Sequence, residues 1–231
     1  MPAAPGDRVA VLADAHIGGP GGSGEGLAVQ LDQLADAGCS HLVLLGDLFH
    51  VWVGSEKFET DDHRSVLAAL RRLGERGVRL DYVEGNRDFF IADSVYAPLF
   101  ERVDRSVEFT AGGRRYLAVH GDGIDRSDRK YLFWSWLSKS WLSRTLWLGL
   151  PAGLARSLAD GTERRLAETN FEHKSRVPEG VLRRYGELQL QGEYEELLLG
   201  HFHQALEWDL PGGKLRVADA WFRTRAIEWL S

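Results

Sequence analysis

The chain has a single cysteine, Cys39, among 231 residues. No internal disulfide can form, and a lone thiol suits a reducing compartment. Basic excess is missing as well: 28 Lys and Arg stand against 34 Asp and Glu, for a net charge of −6. A protein that coats nucleic acid needs a basic face, so that class of partner is excluded. Long apolar runs at the start of the chain are absent too. The stretch Val9–Ala13 is far too short for a secretory signal or a membrane span, and no basic region precedes it. A cytoplasmic location is expected. Repeats and long low-complexity tracts are lacking, apart from the glycine-rich loop Gly18–Gly26.

What remains is an ordinary globular composition, 44% hydrophobic and 27% charged, in a chain long enough to bury a sizeable core. The charge is unevenly placed. Between Arg114 and Arg184 there are 14 Lys/Arg and 8 Asp/Glu, a local balance of +6 that leaves −12 for the rest. Four of the eight tryptophans (Trp134, Trp136, Trp141, Trp147) fall between Tyr131 and Leu150. The middle third is therefore basic and aromatic inside an acidic protein.

Short apolar runs alternate with helical spacing through the first half. Arg8–Ala13, His41–Leu45 and Arg79–Glu84 predict buried strands, while Leu27–Ala37 and Asp62–Arg76 predict helices stopped by Gly38 and Gly77. Strand, helix, strand, helix, strand is the pattern of a parallel sheet. Val103–Val119 predicts a hairpin about Gly112–Gly113. Residues 129–184 are expected to be mostly helical, with breaks near Gly149–Pro151 and before Pro178. Strands then return at Glu196–Leu199, Ala205–Leu210, Lys214–Ala218 and Thr224–Leu230. The organisation expected is one domain, 1–231, carrying a helical insertion at 129–184.

Polar residues follow the buried strands directly: Asp14-Ala15-His16, Gly46-Asp47, Gly85-Asn86-Arg87-Asp88, His120-Gly121-Asp122 and Gly200-His201-Phe202-His203. In an α/β sheet the strand C-termini share one edge, where ligands bind. Any one of these endings could be a turn, and His120 alone could be a core histidine; five together point to one site. Two carboxylates, four imidazoles and an amide oxygen, with no thiolate, suit Mn²⁺, Fe²⁺ or Zn²⁺. Seven donors exceed what one ion with open positions needs. They fit two ions sharing a carboxylate, roughly 3.5–4 Å apart, an arrangement that activates water for phosphoryl transfer. His41, His50, His63 and His173 lack this context and read as structural or exposed, with His50 undecided.

The order Asp-x-His, Gly-Asp, Gly-Asn-x-Asp, His, Gly-His-x-His resembles the calcineurin-like metallophosphoesterase superfamily. Arg87 in the Gly-Asn-Arg-Asp-Phe block, Leu45-Gly46-Asp47-Leu48-Phe49 with Trp52-Val53-Gly54, and His120-Gly121-Asp122 are similar to its UDP-2,3-diacylglucosamine diphosphatase branch, which serves lipid A biosynthesis. The resemblance implies a four-layer α-β-β-α sandwich with two divalent ions, Mn²⁺ foremost; the Trp-rich helical insertion is expected to form a lid on it. It implies that Asp14 and His16 hold one ion, with His203 returning to it. Asp47 would bridge, and Asn86, His120 and His201 would hold the second. Asn86, Arg87 and Asp88 would be the catalytic block. Arg87, Asp122, Asp128, Tyr131, Trp136 and Trp141 would contact substrate. The reaction implied is attack of activated water on the α-phosphorus of UDP-2,3-diacylglucosamine, releasing UMP and the diacylated sugar phosphate. Arg87 would supply fixed charge, unless it serves only as a structural partner of Asp88. An arginine cannot act as a general acid near neutral pH, which favours a diphosphate, whose leaving group is already good, over an alkyl monoester.

The run Tyr131–Leu150 is apolar enough to suggest a membrane helix, but Lys139, Arg144 and four serines interrupt it. It is expected to lie in the bilayer interface or to cover acyl chains, with Lys and Arg toward headgroups, so that the protein is peripheral on the cytoplasmic face of the inner membrane. A helix buried in the core or a dimer would show the same spacing. The chain departs from the family pattern at His50, at Ser127 and at Gln204-Ala205, and keeps all seven donors. The rival functions are a phosphodiesterase for another nucleotide conjugate or phospholipid, and a catalytically silent binding module on the same fold.

Overall fold

The computed structural model describes residues 8–20, 22–126, 133, 136–140, 143, 145, 149 and 177–230. Most of the expected insertion, with Asp128, Tyr131 and Trp141, lies outside them. The described chain runs β1 (Val9–Leu12), α1 (Gly24–Asp36), β2 (His41–Leu44), β3 (Trp52–Val53), α2 (Asp61–Glu75), β4 (Arg79–Val83), β5 (Asp88–Phe89), β6 (Arg102–Asp104), β7 (Ser106–Ala111), β8 (Arg114–Val119), α3 (Glu179–Gln189), β9 (Glu196–Leu199), β10 (Leu206–Leu210), β11 (Gly213–Val217), α4 (Trp221–Thr224) and β12 (Glu228–Leu230).

The first sheet has the order β12-β1-β2-β4-β6, with the four inner-to-edge strands β1, β2, β4 and β6 parallel and β12 antiparallel. The second has the order β10-β11-β9-β8-β7, with parallel β11, β9 and β8 flanked by antiparallel neighbours. Period-two alternation sorts each strand between two cores. Val9, Val11, Val43 and Val83 face Phe109, Tyr116, Ala118 and Leu198 between the sheets. Ala10, Leu12, Leu42, Leu44 and Leu80 face outward onto Leu27, Leu31, Leu34, Val66, Leu67, Leu70 and Leu73 of α1 and α2. On the far side, Leu182 of α3 and Leu190 cover Leu117, Leu197, Leu199, Leu215 and Val217. The result is the expected four-layer α-β-β-α sandwich.

Both long helices are started by side chains. Ser23 accepts from the Gly26 amide at the start of α1. Thr60 and His63 form a reciprocal capping box on α2.

Three sequence expectations need adjustment. The strand expected at Thr224–Leu230 is only Glu228–Leu230, because Trp221 buries itself in a helical turn that ends at Arg225 in the left-handed region. Arg102–Asp104 leaves the hairpin and extends the first sheet beside β4, so the hairpin proper starts at Ser106. Helix α3 starts directly after Pro178 and runs to Gln189, past the expected limit at Arg184, since Leu182 and Gly186 are buried on the second sheet.

Candidate metal centre

The C-terminal ends of β1, β2, β4, β8 and β9 meet at one edge of the sandwich. At that edge the backbone is forced into an uncommon shape. Asp14, His16, Asp47, His201 and His203 all have positive φ, from 47° to 67°. Side chains other than glycine avoid this region, and such residues gather at functional sites. Gly85 permits the closest loop approach: a Cβ there would sit 2.2 Å from Asp47 Oδ1.

Asp14, His16, Asp47 and His120 are all buried. His16 Nε2 stands 3.6 Å from Asp14 Oδ1 and 3.8 Å from Asp47 Oδ2, and His203 Nε2 is 3.3 Å from Asp14 Oδ1. His120 Nε2 lies 3.6 Å from Asp47 Oδ2 and 3.2 Å from Asn86 Oδ1. Asp47 Oδ2 thus sits between His16 and His120. Asp14, His16 and His203 offer donor atoms within 4.8 Å of one another, as do Asp14, Asp47 and His120. The His201 ring is 5.1 Å from that of His120. His120 is oriented by Nδ1, which donates to the Leu45 carbonyl at 2.6 Å and so turns Nε2 toward the cluster.

These residues fit divalent cations on grounds internal to the structure. Among the described residues, Asp14 Oδ1 and His16 Nε2 are buried and have no hydrogen-bond partner. Such groups are costly unless something else satisfies them. Burial would raise the Asp14 carboxyl, but the imidazoles beside it outweigh that and hold it well below the usual range. Burial lowers His16 despite the neighbouring carboxylates. Burial and the charge of His120 push His201 down to about 3, leaving it a neutral donor. Burial opposes protonation of His120 too, but Asp47, Asp14 and Asp122 raise it to about 9. The carboxylates thus leave an excess of negative charge that favours a cation at His120 Nε2, whether a proton or a metal ion.

The Gly-Asn-Arg-Asp block divides its labour. Asp88 is fully buried, and its Oδ2 accepts from the amides of Asp47 at 3.0 Å and Gly85 at 2.7 Å. Burial and the Asp47 charge push its pKa up to about 7. It holds two loops together. Arg87 turns to the metal edge: its amide donates to Asp47 Oδ1 at 2.8 Å and its Nε is 3.5 Å from Asp47 Oδ2. Arg87 Nη1 donates to the His50 carbonyl at 3.0 Å and lies 3.3 Å from His50 Nδ1.

Asp122 follows His120 and is half-buried. Trp136 is 67% exposed, with its ring 6.2 Å from that of Phe133, itself 56% exposed. Lys139 does not reach outward as expected; its Nζ donates to the Gly85 carbonyl at 2.6 Å. Two contributors carried no sequence signal. Phe222 sets its ring edge-on to His16 at 5.3 Å and to His203 at 5.1 Å, and its partners are remote in sequence. The Leu45 carbonyl is a backbone group, invisible to residue typing.

No family model matches the chain. Among curated proteins it is similar to a UDP-2,3-diacylglucosamine hydrolase of Ralstonia nicotianae, with 32% identity over 196 residues covering 78% of this chain and 71% of the relative. It is also similar to proteins of the same name from Chromohalobacter salexigens (26% identity; 71% and 66% covered) and Escherichia coli O9:H4 (29%; 71% and 68%). Solved structures with a related backbone include a novel archaeal phosphodiesterase (8% identity, TM-score 0.45, 96% and 98% covered). Another is Vps29 of Entamoeba histolytica complexed with zinc (13%, TM-score 0.41, 92% and 74%). On its identity to the Ralstonia protein and the extent of both chains that the match spans, this chain belongs to the UDP-2,3-diacylglucosamine hydrolase family.

Proposed function

We propose that the protein hydrolyses the anhydride of UDP-2,3-diacylglucosamine to UMP and 2,3-diacylglucosamine 1-phosphate. Two divalent cations, Mn²⁺ foremost, would be held at the strand-end cluster. The observation that carries this reading is the convergence of the Asp14, His16, Asp47, Asn86, His120, His201 and His203 donors on one edge of a chain related to hydrolases of that name. Asp14, His16 and His203 would hold one ion, Asn86, His120 and His201 the other, and Asp47 both. When bound, the ions supply Lewis acidity to phosphate oxygens and acidify water.

The chain's own groups do the rest. Neutral His16 and His201 present lone pairs at neutral pH. His120 keeps Nε2 inward through the proton it gives to the Leu45 carbonyl. The guanidinium of Arg87, held by Asp47, stabilises the negative charge that grows on phosphate oxygens in the transition state. It provides no proton, and an anhydride needs none, because a phosphate leaves unaided. Asp88 acts at a distance, fixing the loops that carry Asp47 and Arg87.

Residues 129–184, read as a helical insertion on a single domain, would cover the acyl chains and rest on the inner-membrane surface. The exposed Phe133–Trp136 pair supports that reading. Among the described residues no helix is long and apolar enough to cross a membrane.

The test is hydrolysis in ¹⁸O-water by Mn²⁺-loaded protein. UMP carrying the label is expected, since attack is on the α-phosphorus. Label in the sugar phosphate would reject the mechanism. No UMP at all, with turnover of other diesters, would reject the substrate, and failure on every ester would leave a binding module.

A further inference from the structure

Beyond the donors themselves, one interaction bears on how the charge at Arg87 is aimed. The guanidinium is gripped from two sides, and both grips come from the loop that leaves β2. Asp47 holds Nε and the main-chain amide. His50, three residues on, faces Nη1 with both its carbonyl and its ring nitrogen Nδ1. An arginine N–H can point at Nδ1 only where that nitrogen carries a lone pair, which places the ring proton on Nε2 in the contact.

His50 is itself fixed. Its amide donates to the Ile17 carbonyl at 2.9 Å, and Ile17 and Phe49 form a parallel bridge. The loop after β1 closes over the ring so tightly that a Cβ on Gly19 would come within 2.6 Å of His50 Nδ1. The imidazole is therefore walled in beside the guanidinium, and its ring centroid is 6.1 Å from that of His16. Arginine loses several rotatable bonds on being ordered, and misplacing a charge by about 1 Å can cost a hundredfold in rate.

We infer that His50 is a positioning residue whose ring nitrogen fixes the Arg87 guanidinium against the reacting phosphate. The inference rests on the hydrolase reading above. Its ring neighbours that of His16, and it acts on the phosphate through Arg87.

The test compares His50→Ala, His50→Asn and His50→Phe in the Mn²⁺-loaded protein. Ala keeps the carbonyl contact and loses the ring; kcat for UMP release should fall about 10–100-fold, by more than KM changes. Asn can return an acceptor near Nδ1 and should recover most of the rate. Phe fills the space without an acceptor and should not. In an Arg87→Ala background, His50→Ala should have no further effect. The guanidinium ¹⁵N–¹H signals of Arg87 should sharpen into fast rotation in His50→Ala, a readout independent of activity. If wild type releases UMP and all three variants match it, positioning by His50 is wrong and the hydrolase reading stands. If wild type releases none, the hydrolase reading fails, and an Arg87 resonance unaltered by His50→Ala would overturn the positioning contact as well.

Discussion

The most telling residues are those whose backbone is wrong for their side chains. Asp14, His16, Asp47, His201 and His203 all occupy the left-handed region. Each costs of order 1–3 kcal/mol, and persists only because the surrounding structure fixes it. The strain turns each donor back over its strand end, toward the others. Asp14 matters most, since its carboxylate belongs to both groups of donors. Asp14→Asn should lower the bound metal per chain, measured by elemental analysis, and should reduce UMP release by about a hundredfold or more. A variant with full metal content and full rate would refute the assignment of Asp14 as a ligand. The gathering of Asp14, His16, Asp47, Asn86, His120, His201 and His203 at one edge was legible in sequence because each follows an apolar run that reads as a buried strand. His50 and Phe222 were not, because their roles depend on Arg87 and on His16 and His203, which are brought to them only by folding.

At the scale of elements, β1, α1, β2, α2, β4 and the β7–β8 hairpin stand close to where their periodicity put them. Apolar period and glycine stops act locally, so sequence carries them. The short β3–β5 pair was illegible: Trp52 pairs with Asp88 and Val53 with Phe89, a two-residue match that only the approach of two loops creates. The C-terminal strand was overextended for a similar reason, since the turn at Trp221 is set by burial against distant residues. The place of Lys139 in an amphipathic run predicts a headgroup contact, yet its Nζ bonds the Gly85 carbonyl. This contact ties a residue of the 129–184 segment to the loop bearing Asn86 and Arg87, while Trp136 nearby stays exposed. Trp136→Ser should accordingly raise KM for the acylated substrate, by about 10-fold for the loss of one large apolar contact. It should leave a small soluble diester unaffected. Equal KM values for wild type and variant on the acylated substrate would make Trp136 irrelevant to acyl recognition.

Across the whole molecule, the two sheets are joined by charge as well as by apolar packing. Asp81 of β4 is fully buried and accepts from Arg79 at 2.9 Å and Arg102 at 2.8 Å, with His41 Nε2 at 3.0 Å. Arg102 also donates to the Glu108 carbonyl of the second sheet at 2.6 Å. Burial alone would raise the Asp81 carboxyl; His41 and Arg102 more than reverse this, and it lies well below its ordinary value of 3.8. A folded-state value below the unfolded one means the ionised group stabilises the fold in full above pH 3.8 and loses that effect as pH falls through the depressed value. Asp81→Asn should cost about 1.5–3 kcal/mol at pH 7 by denaturant titration, and the gap to wild type should narrow in acid. A gap constant with pH would show that the carboxylate charge contributes nothing.

Asp14 serves the same join by another route. Its Oδ2 accepts the His201 amide from the opposite sheet at 2.8 Å, and its carbonyl accepts the Phe222 amide at 3.3 Å. A descendant that abandoned catalysis would still be under pressure to keep this carboxylate as a rivet. Retention of aspartate here is therefore a poor marker of a working enzyme. His16, whose Nε2 has no hydrogen-bond partner among the described residues, is the position where a lapsed lineage would first show its loss.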